Sequence, residues 1–191
     1  IRFGCPDDYA VRFLPHLLRG FARVHPKVHV EVHCAHTPRL LERLDQHALD
    51  LALTSFAETE KGRTIIRREP LVWVGAAGSN AAHLKPLRLA LTDPDTLDHR
   101  AARRSLDVAG RAYRVAYASA SLAGLTAVVR SGQAIAVLTR TAVPDDLRVL
   151  SAESGLPPLP SVGIGVMVDS KQPSAVVSAF AQHVRQVLPT L

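Results

Sequence analysis

No apolar run in the sequence is long enough to cross a membrane, so a membrane-spanning helix is not expected. There are only two cysteines and no CxxC pair, which argues against a disulfide framework and for a reducing, cytoplasmic compartment. No export signal is read at the start, because Ile1 already belongs to an extended run. The chain lacks GxxxxGK[ST], GxSxG and HExxH, so phosphate-loop, serine-hydrolase and zinc-protease chemistry are not expected. It shows no solenoid-period repeat. It also has no Lys/Arg run, no helix-turn-helix pair and no aromatic RNA-binding motif, despite a formal charge of +6 and a pI near 9.9. That excess, much of it from Arg19, Arg23, Arg39, Arg43, Arg103 and Arg104, is read as a solvated surface. At 191 residues and 47% apolar content the chain can bury a core as one large domain or two lobes.

What is present begins with alternating periods. Arg2–Cys5 is extended. Phe13, Leu14, Leu17, Leu18, Phe21 and Val24 repeat at helical spacing, and Pro15 places the main helix start near Leu14, with a separate turn over 9–13. His25-Pro26 ends that helix. Val28, Val30 and Val32 alternate as a strand. Thr37 then reads as an N-cap with Pro38 at N1, and the helix stops near His47 before a strand over 49–54. Two successive βαβ crossovers require a parallel sheet of order 2-1-3. Ligands bind such sheets at the strand carboxyl ends, which places the chemistry near residues 5–9, 34–37 and 54–56.

A second α/β unit follows an extended Ile65–Ala76. It reads as a strand at Leu89–Leu91, a helix over Arg100–Ala109 closed by Gly110, and a strand at Tyr113–Ala118. A helix over Ser121–Ser131 closed by Gly132 and a strand at Ala134–Leu138 complete it. Val162–Val168 is a further strand. The last helix carries Val176, Val177, Phe180, Val184, Val187 and Leu188 inward, and supplies the layer the first lobe lacks. The expected fold is α/β, with two Rossmann-like lobes joined by two crossover segments, like the type 2 periplasmic binding proteins. Lobe I takes 1–72 with 165–191 and lobe II takes 73–164. A cleft between such lobes is a usual small-molecule site.

Several motifs, in order, resemble the effector-binding domain of LysR-type transcriptional regulators. These are Leu14-Pro15 with Phe21 and Pro26, then Leu49-Asp50-Leu51-Ala52, then Val128–Gly132 followed by Ile135–Leu138. Pro6–Ala10 and Leu71–Val74 are similar to a subgroup that regulates motility and virulence. His47, Ala134 and Thr139 depart from the family pattern, which has glycine at the first two and proline at the third. The resemblance implies a homodimer through helix one and strand two. It also implies DNA binding only through an N-terminal winged helix-turn-helix, which this chain does not contain, and a domain that is no enzyme and needs no cofactor.

The candidate ligand contacts are Pro6, Asp7, Asp8, Tyr9, His36, Thr37, Thr54, Ser55 and Phe56 from the first lobe. Arg100, Ser119, Ala120, Ser121, Thr139 and Arg140 come from the second. Asp7 or Asp8 reads first as a cap, and Phe56 first as core packing. Ser119–Ser121 precede a helix whose N-terminal amides suit a carboxylate or phosphate, and Arg100 and Arg140 could fork onto one. These features point to an anionic metabolite, although Asp7 and Asp8 leave room for a cationic group. His29, Glu31 and His33 share a strand face, which reads as polar surface rather than a metal site. Cys5 and Cys34 end neighbouring strands and are either small buried residues or a redox pair. The other functions weighed are a periplasmic solute-binding protein of a transporter and, behind it, an enzyme on the same fold.

Overall fold

A computed structural model describes residues 1–171 and 173–191. In chain order the elements are β1 (Arg2–Cys5), α1 (Asp7–Val24), β2 (Glu31–Cys34), α2 (Thr37–Asp45), β3 (Leu51–Ala57) and β4 (Arg67–Ala76). Next come β5 (Leu87–Leu91), α3 (Leu97–Val108), β6 (Tyr113–Ala118), α4 (Leu122–Arg130) and β7 (Ile135–Thr139). The chain closes with β8 (Leu147–Val149), β9 (Ser161–Val168) and α5 (Ala175–Val187). They form two compact units, one of Ile1–Arg68 with Val162–Leu191 and one of Glu69–Ser161. The divisions fall within β4 and at the start of β9, earlier in both strands than the sequence boundaries after 72 and 164.

In the first unit β1 pairs in parallel with both β2 and β3, which is the 2-1-3 order the crossovers require. β9 adds antiparallel to β3, from Leu51 opposite Val168 to Ala57 opposite Val162. That ladder carries β3 three residues past the expected end at Thr54. The core beneath holds Phe3, Tyr9, Phe13, Leu17, Phe21, Leu51, Leu53, Phe180 and Val184. The final helix therefore closes this unit, as its apolar face predicts. Ser174 caps it by accepting from the Val177 amide.

Pro15 does not divide helix one, contrary to the sequence expectation. α1 runs unbroken from Asp7 because Tyr9 and Phe13 belong to the same buried face as Leu17 and Phe21. Proline removes the bond to the carbonyl of Val11, a residue 75% exposed, so the defect faces solvent. An interior proline costs about 3 kcal/mol, and burying two aromatic rings at about 1.5–3 kcal/mol each outweighs it.

The ends of α2 also differ from expectation. His36 is the N-cap, without a side-chain bond, and Thr37 is already helical. The Thr37 hydroxyl instead accepts from the Ser55 amide at 2.9 Å, tying α2 to β3. At the other end His47 takes φ 55°, the left-handed conformation that glycine supplies at this place in the family pattern. Its amide bonds Leu44 O and the Ala48 amide bonds Arg43 O, a complete Schellman closure. The ring Nδ1 lies 2.7 Å from Asp169 Oδ1, which holds a non-glycine residue in that strained region.

The start of β1 is anchored by an ion pair. Arg2 Nη2 and Nε donate to Asp50 Oδ1, and its backbone amide donates to Oδ2. Burial raises the Asp50 pKa, but the bonds from Arg2 outweigh it, so the carboxyl titrates below its ordinary range. A carboxyl depressed on folding contributes stability above its unfolded pKa, near 4, and loses it as pH falls through the folded value. With the two side chains 42% and 24% exposed, solvent screening leaves about 1 kcal/mol. Asp50→Asn is therefore expected to lower stability by about that amount at pH 7, with the gap to wild type closing below about pH 4 in urea titrations.

In the second unit β5 lies between β6 and β7, parallel to both, and β7 and β8 pair antiparallel with β4. Val74, Ala90, Leu125, Val129, Ala136 and Leu138 form part of its core. β8 is an addition to the sequence reading, and α3 starts at Leu97 rather than Arg100. Gly110 closes α3 as expected. It takes φ 61°, its amide bonds Asp107 O, and the Arg111 amide bonds Leu106 O. No helix among the described residues is long and apolar enough to cross a membrane.

Candidate functional site

Each unit gathers polar groups at the carboxyl ends of its parallel strands. In the first unit the Tyr9 hydroxyl lies 2.7 Å from Ser55 Oγ, and the Ser55 amide donates to Thr37 Oγ1. Three sequence-distant candidates, one each from α1, α2 and β3, are thereby joined. Thr54 and Phe56 flank Ser55 inside β3, at 2% and 5% exposure. The Phe56 ring lies against Gly163 and Gly165, where a Cβ would approach it to 2.8 Å at either position. Its visible task is packing.

Pro6, not an aspartate, is the N-cap of α1, and its carbonyl accepts from the Tyr9 and Ala10 amides. Neither Asp7 nor Asp8 takes the capping position read from sequence; both lie in the first helical turn, where they complement the dipole. His36, the N-cap of α2, has a buried Nε2 with no hydrogen-bond partner.

Cys5 and Cys34 sit opposite each other in the β1–β2 register, and both are free thiols. Burial pushes the Cys5 thiol well up, and its Sγ donates to Pro6 O. Cys34 is exposed rather than buried, unlike one of the two sequence readings, and partial desolvation with Asp7 beside it still raises its thiol. Neither environment favours the thiolate. Beyond them on β2, Glu31 Oε1 is 2.9 Å from His33 Nε2, in ion-pair range for a protonated ring, but that nitrogen makes no aligned hydrogen bond. Among the described residues no group of three or more His, Cys, Asp or Glu is arranged to hold a metal.

In the second unit Ser121 caps α4, its Oγ accepting from the Gly124 amide at 3.1 Å. Ser119 Oγ accepts from the Ser121 amide and donates to its carbonyl, so Ser119, Ala120 and Ser121 form one tight turn. A Cβ on Gly124 would overlap Ser119 Oγ, so the turn packs directly on the helix backbone. The first-turn amides of Leu122 and Ala123 lie beyond the cap, at the positive end of α4. Thr139 is the last residue of β7 and is 4% exposed. Arg140 follows it on the surface. Arg100 is also exposed and lies in the first turn of α3.

One cluster escaped the sequence reading. Thr92 Oγ1 lies 2.6 Å from Thr96 Oγ1 and from Asp98 Oδ2, and His99 Nδ1 is 2.9 Å from the Thr92 carbonyl. It orders the segment after β5, beside the Ser119 turn, whose amide bonds Leu91 O. The signal was present as Thr92-Asp93-Pro94-Asp95-Thr96, a turn sequence ending in a cap residue.

Comparison with known proteins adds identity to this geometry. The family model for the LysR substrate binding domain matches residues 1–189. The HTH-type transcriptional regulator DgdR of Burkholderia cepacia is 59% identical over all 191 residues, and the chain spans 65% of its length. The bromide-bound regulatory domain of HypT from Salmonella typhimurium superposes with a TM-score of 0.78 at 16% identity, covering 100% of this chain and 96% of that one. The effector binding domain of QuiR in complex with shikimate gives 0.76 at 14% identity, over 97% and 95%. A family match over nearly the whole chain and a relative this similar agree with the observed topology, and the chain belongs to the LysR substrate-binding domain family.

Proposed function

We propose that the chain is the effector-sensing part of a cytoplasmic, DNA-bound transcriptional regulator, and that its ligand is a small organic anion. Family membership carries the regulator reading. The observation that carries the ligand class is the Ser119–Ser121 turn on the N-terminus of α4, where backbone amides and the helix dipole favour a carboxylate. The linked Tyr9–Ser55–Thr37 hydroxyls offer a second polar group for orientation. Two relatives in fold hold anions, shikimate in the QuiR domain and an inorganic bromide ion in the HypT domain.

Pro6, Asp7, Asp8, Tyr9, His36, Thr37, Thr54, Ser55 and Phe56 in the first unit form the proposed contact set. Arg100, Ser119, Ala120, Ser121, Thr139 and Arg140 complete it in the second. Binding acts by favouring one arrangement of the regulator over another, since equal affinity for both would shift nothing. No bond is made or broken. The homodimer forms through the exposed Val11, Pro15 and Ala22 side of α1, together with β2, an edge strand of its sheet. DNA recognition belongs to sequence outside this chain.

A thermal-shift panel of small organic acids tests this. At least one acid is expected to raise Tm. Ser119→Ala and Ser55→Ala are each expected to weaken it about tenfold, the loss of one hydrogen bond to a charged group. Turnover of any acid, or affinities unchanged in both variants, would contradict the reading.

A further inference from the structure

The outward half of α1 carries two parallel stripes. Val11, Pro15, Leu18 and Ala22 make the apolar one. Arg12, Arg19 and Arg23, with the polar His16 between them, make the second, at the same i, i+4, i+7, i+11 spacing and all exposed. At 100° and 1.5 Å per residue the cationic stripe is about 60° wide and about 16 Å long. The acids of the helix, Asp7 and Asp8, are confined to its first turn.

Several arginines elsewhere are paired: Arg39 with Glu42, Arg63 with Glu60, Arg68 with Glu58 and Arg130 with Asp146. Among the described residues Arg12, Arg19 and Arg23 form no ion pair or hydrogen bond. Arg19 and Arg23, four residues apart, repel each other by a few tenths of a kcal/mol. A row of phosphates would remove that penalty, and duplex DNA presents one charge per about 1.7 Å of its length.

We propose that this stripe is a non-specific docking surface for the phosphate backbone of duplex DNA. The inference rests on the reading of the chain as part of a DNA-bound regulator, which keeps the domain near a duplex. The arginines position the domain and carry no base readout. The apolar stripe beside them stays available to a second copy.

Fluorescence anisotropy of a labelled random-sequence duplex, titrated with this chain at pH 8, provides the test. With three cations engaged, affinity is expected to fall about forty-fold between 20 and 80 mM NaCl. The triple variant Arg12→Gln/Arg19→Gln/Arg23→Gln should bind more than tenfold more weakly at 20 mM and lose most of the salt dependence. Arg104→Gln/Arg114→Gln/Arg148→Gln removes equal charge from exposed positions in the second unit and should stay within about threefold of wild type. Circular dichroism confirms that both variants fold.

Absent binding by the wild type at 20 mM, or equal weakening by both triples, overturns the proposal. A stripe variant that loses self-association in sedimentation while DNA binding is unchanged also overturns it and assigns the stripe to a second copy. The assay contains no effector, so failure of the ligand reading leaves its outcome untouched.

Discussion

Phe180→Ala is expected to destabilise the first unit by about 5 kcal/mol and to leave it largely unfolded at 37 °C. Phe180 is fully buried. Its ring meets Phe3 edge-on with centroids 5.1 Å apart, and Phe21 at 4.7 Å. Removing a buried phenyl group costs about 3–5 kcal/mol, and each aromatic pair adds about 0.5–1.5. The residue joins α5 to β1 and α1, so it reports whether the C-terminal segment completes the N-terminal core. Trp73, the single tryptophan, belongs to the other unit and donates its indole N–H to Pro157 O. Circular dichroism of the variant should therefore lose helix signal at low urea, while the Trp73 emission transition stays in place. Phe180→Leu keeps most of the volume and is expected to cost about 1–2 kcal/mol. A loss under 2 kcal/mol for the alanine variant would mean that α5 does not close this core.

The second large effect concerns the glycines of β9. The nearest neighbours of a Cβ at Gly163 would be side chains, Phe56 at 2.8 Å and Ile65 at 3.0 Å. At Gly165 it would meet Phe56 at 2.8 Å and also the backbone carbonyl of Thr64 at 2.8 Å. A ring can yield by rotating, whereas the carbonyl can yield only if its segment moves, and the Ile66 amide ties that segment to Ile164 O. Gly163→Ala is expected to cost about 2 kcal/mol and Gly165→Ala about 3 or more, the range for overpacking a filled core. Adding Phe56→Leu should recover more than 1 kcal/mol of the first and clearly less of the second. Urea midpoints of the two double-mutant cycles measure both couplings. Equal recovery at the two positions would show that the Thr64 carbonyl moves aside.

How far these features could be read beforehand differs by their physical origin. The crossovers were legible because one buried face imposes a period on many residues, as Leu17 and Phe21 do in α1 and Leu40 and Leu44 in α2. The glycine closure of α3 was legible because its geometry is local. Pro15 misled because a local defect was set against burial that only the folded core reveals. Thr37 misled because its hydroxyl serves a strand eighteen residues away rather than its own helix.

The candidate site divides in the same way. The Ser119–Ser121 turn is contiguous and could be named. The Tyr9–Ser55 bond spans 46 residues and leaves no spacing signature. Arg100, read as the first residue of its helix, is the fourth of α3, because the turn over 92–96 that precedes it has no periodic signal.

Polar groups at the strand ends of each unit are the proposed effector contacts. An amide-resolved NMR titration with the organic acid that most raises Tm tests this most directly. The largest shifts are expected at Ser119–Gly124 and at Tyr9, Thr37 and Ser55. Shifts confined to other surfaces would contradict the account.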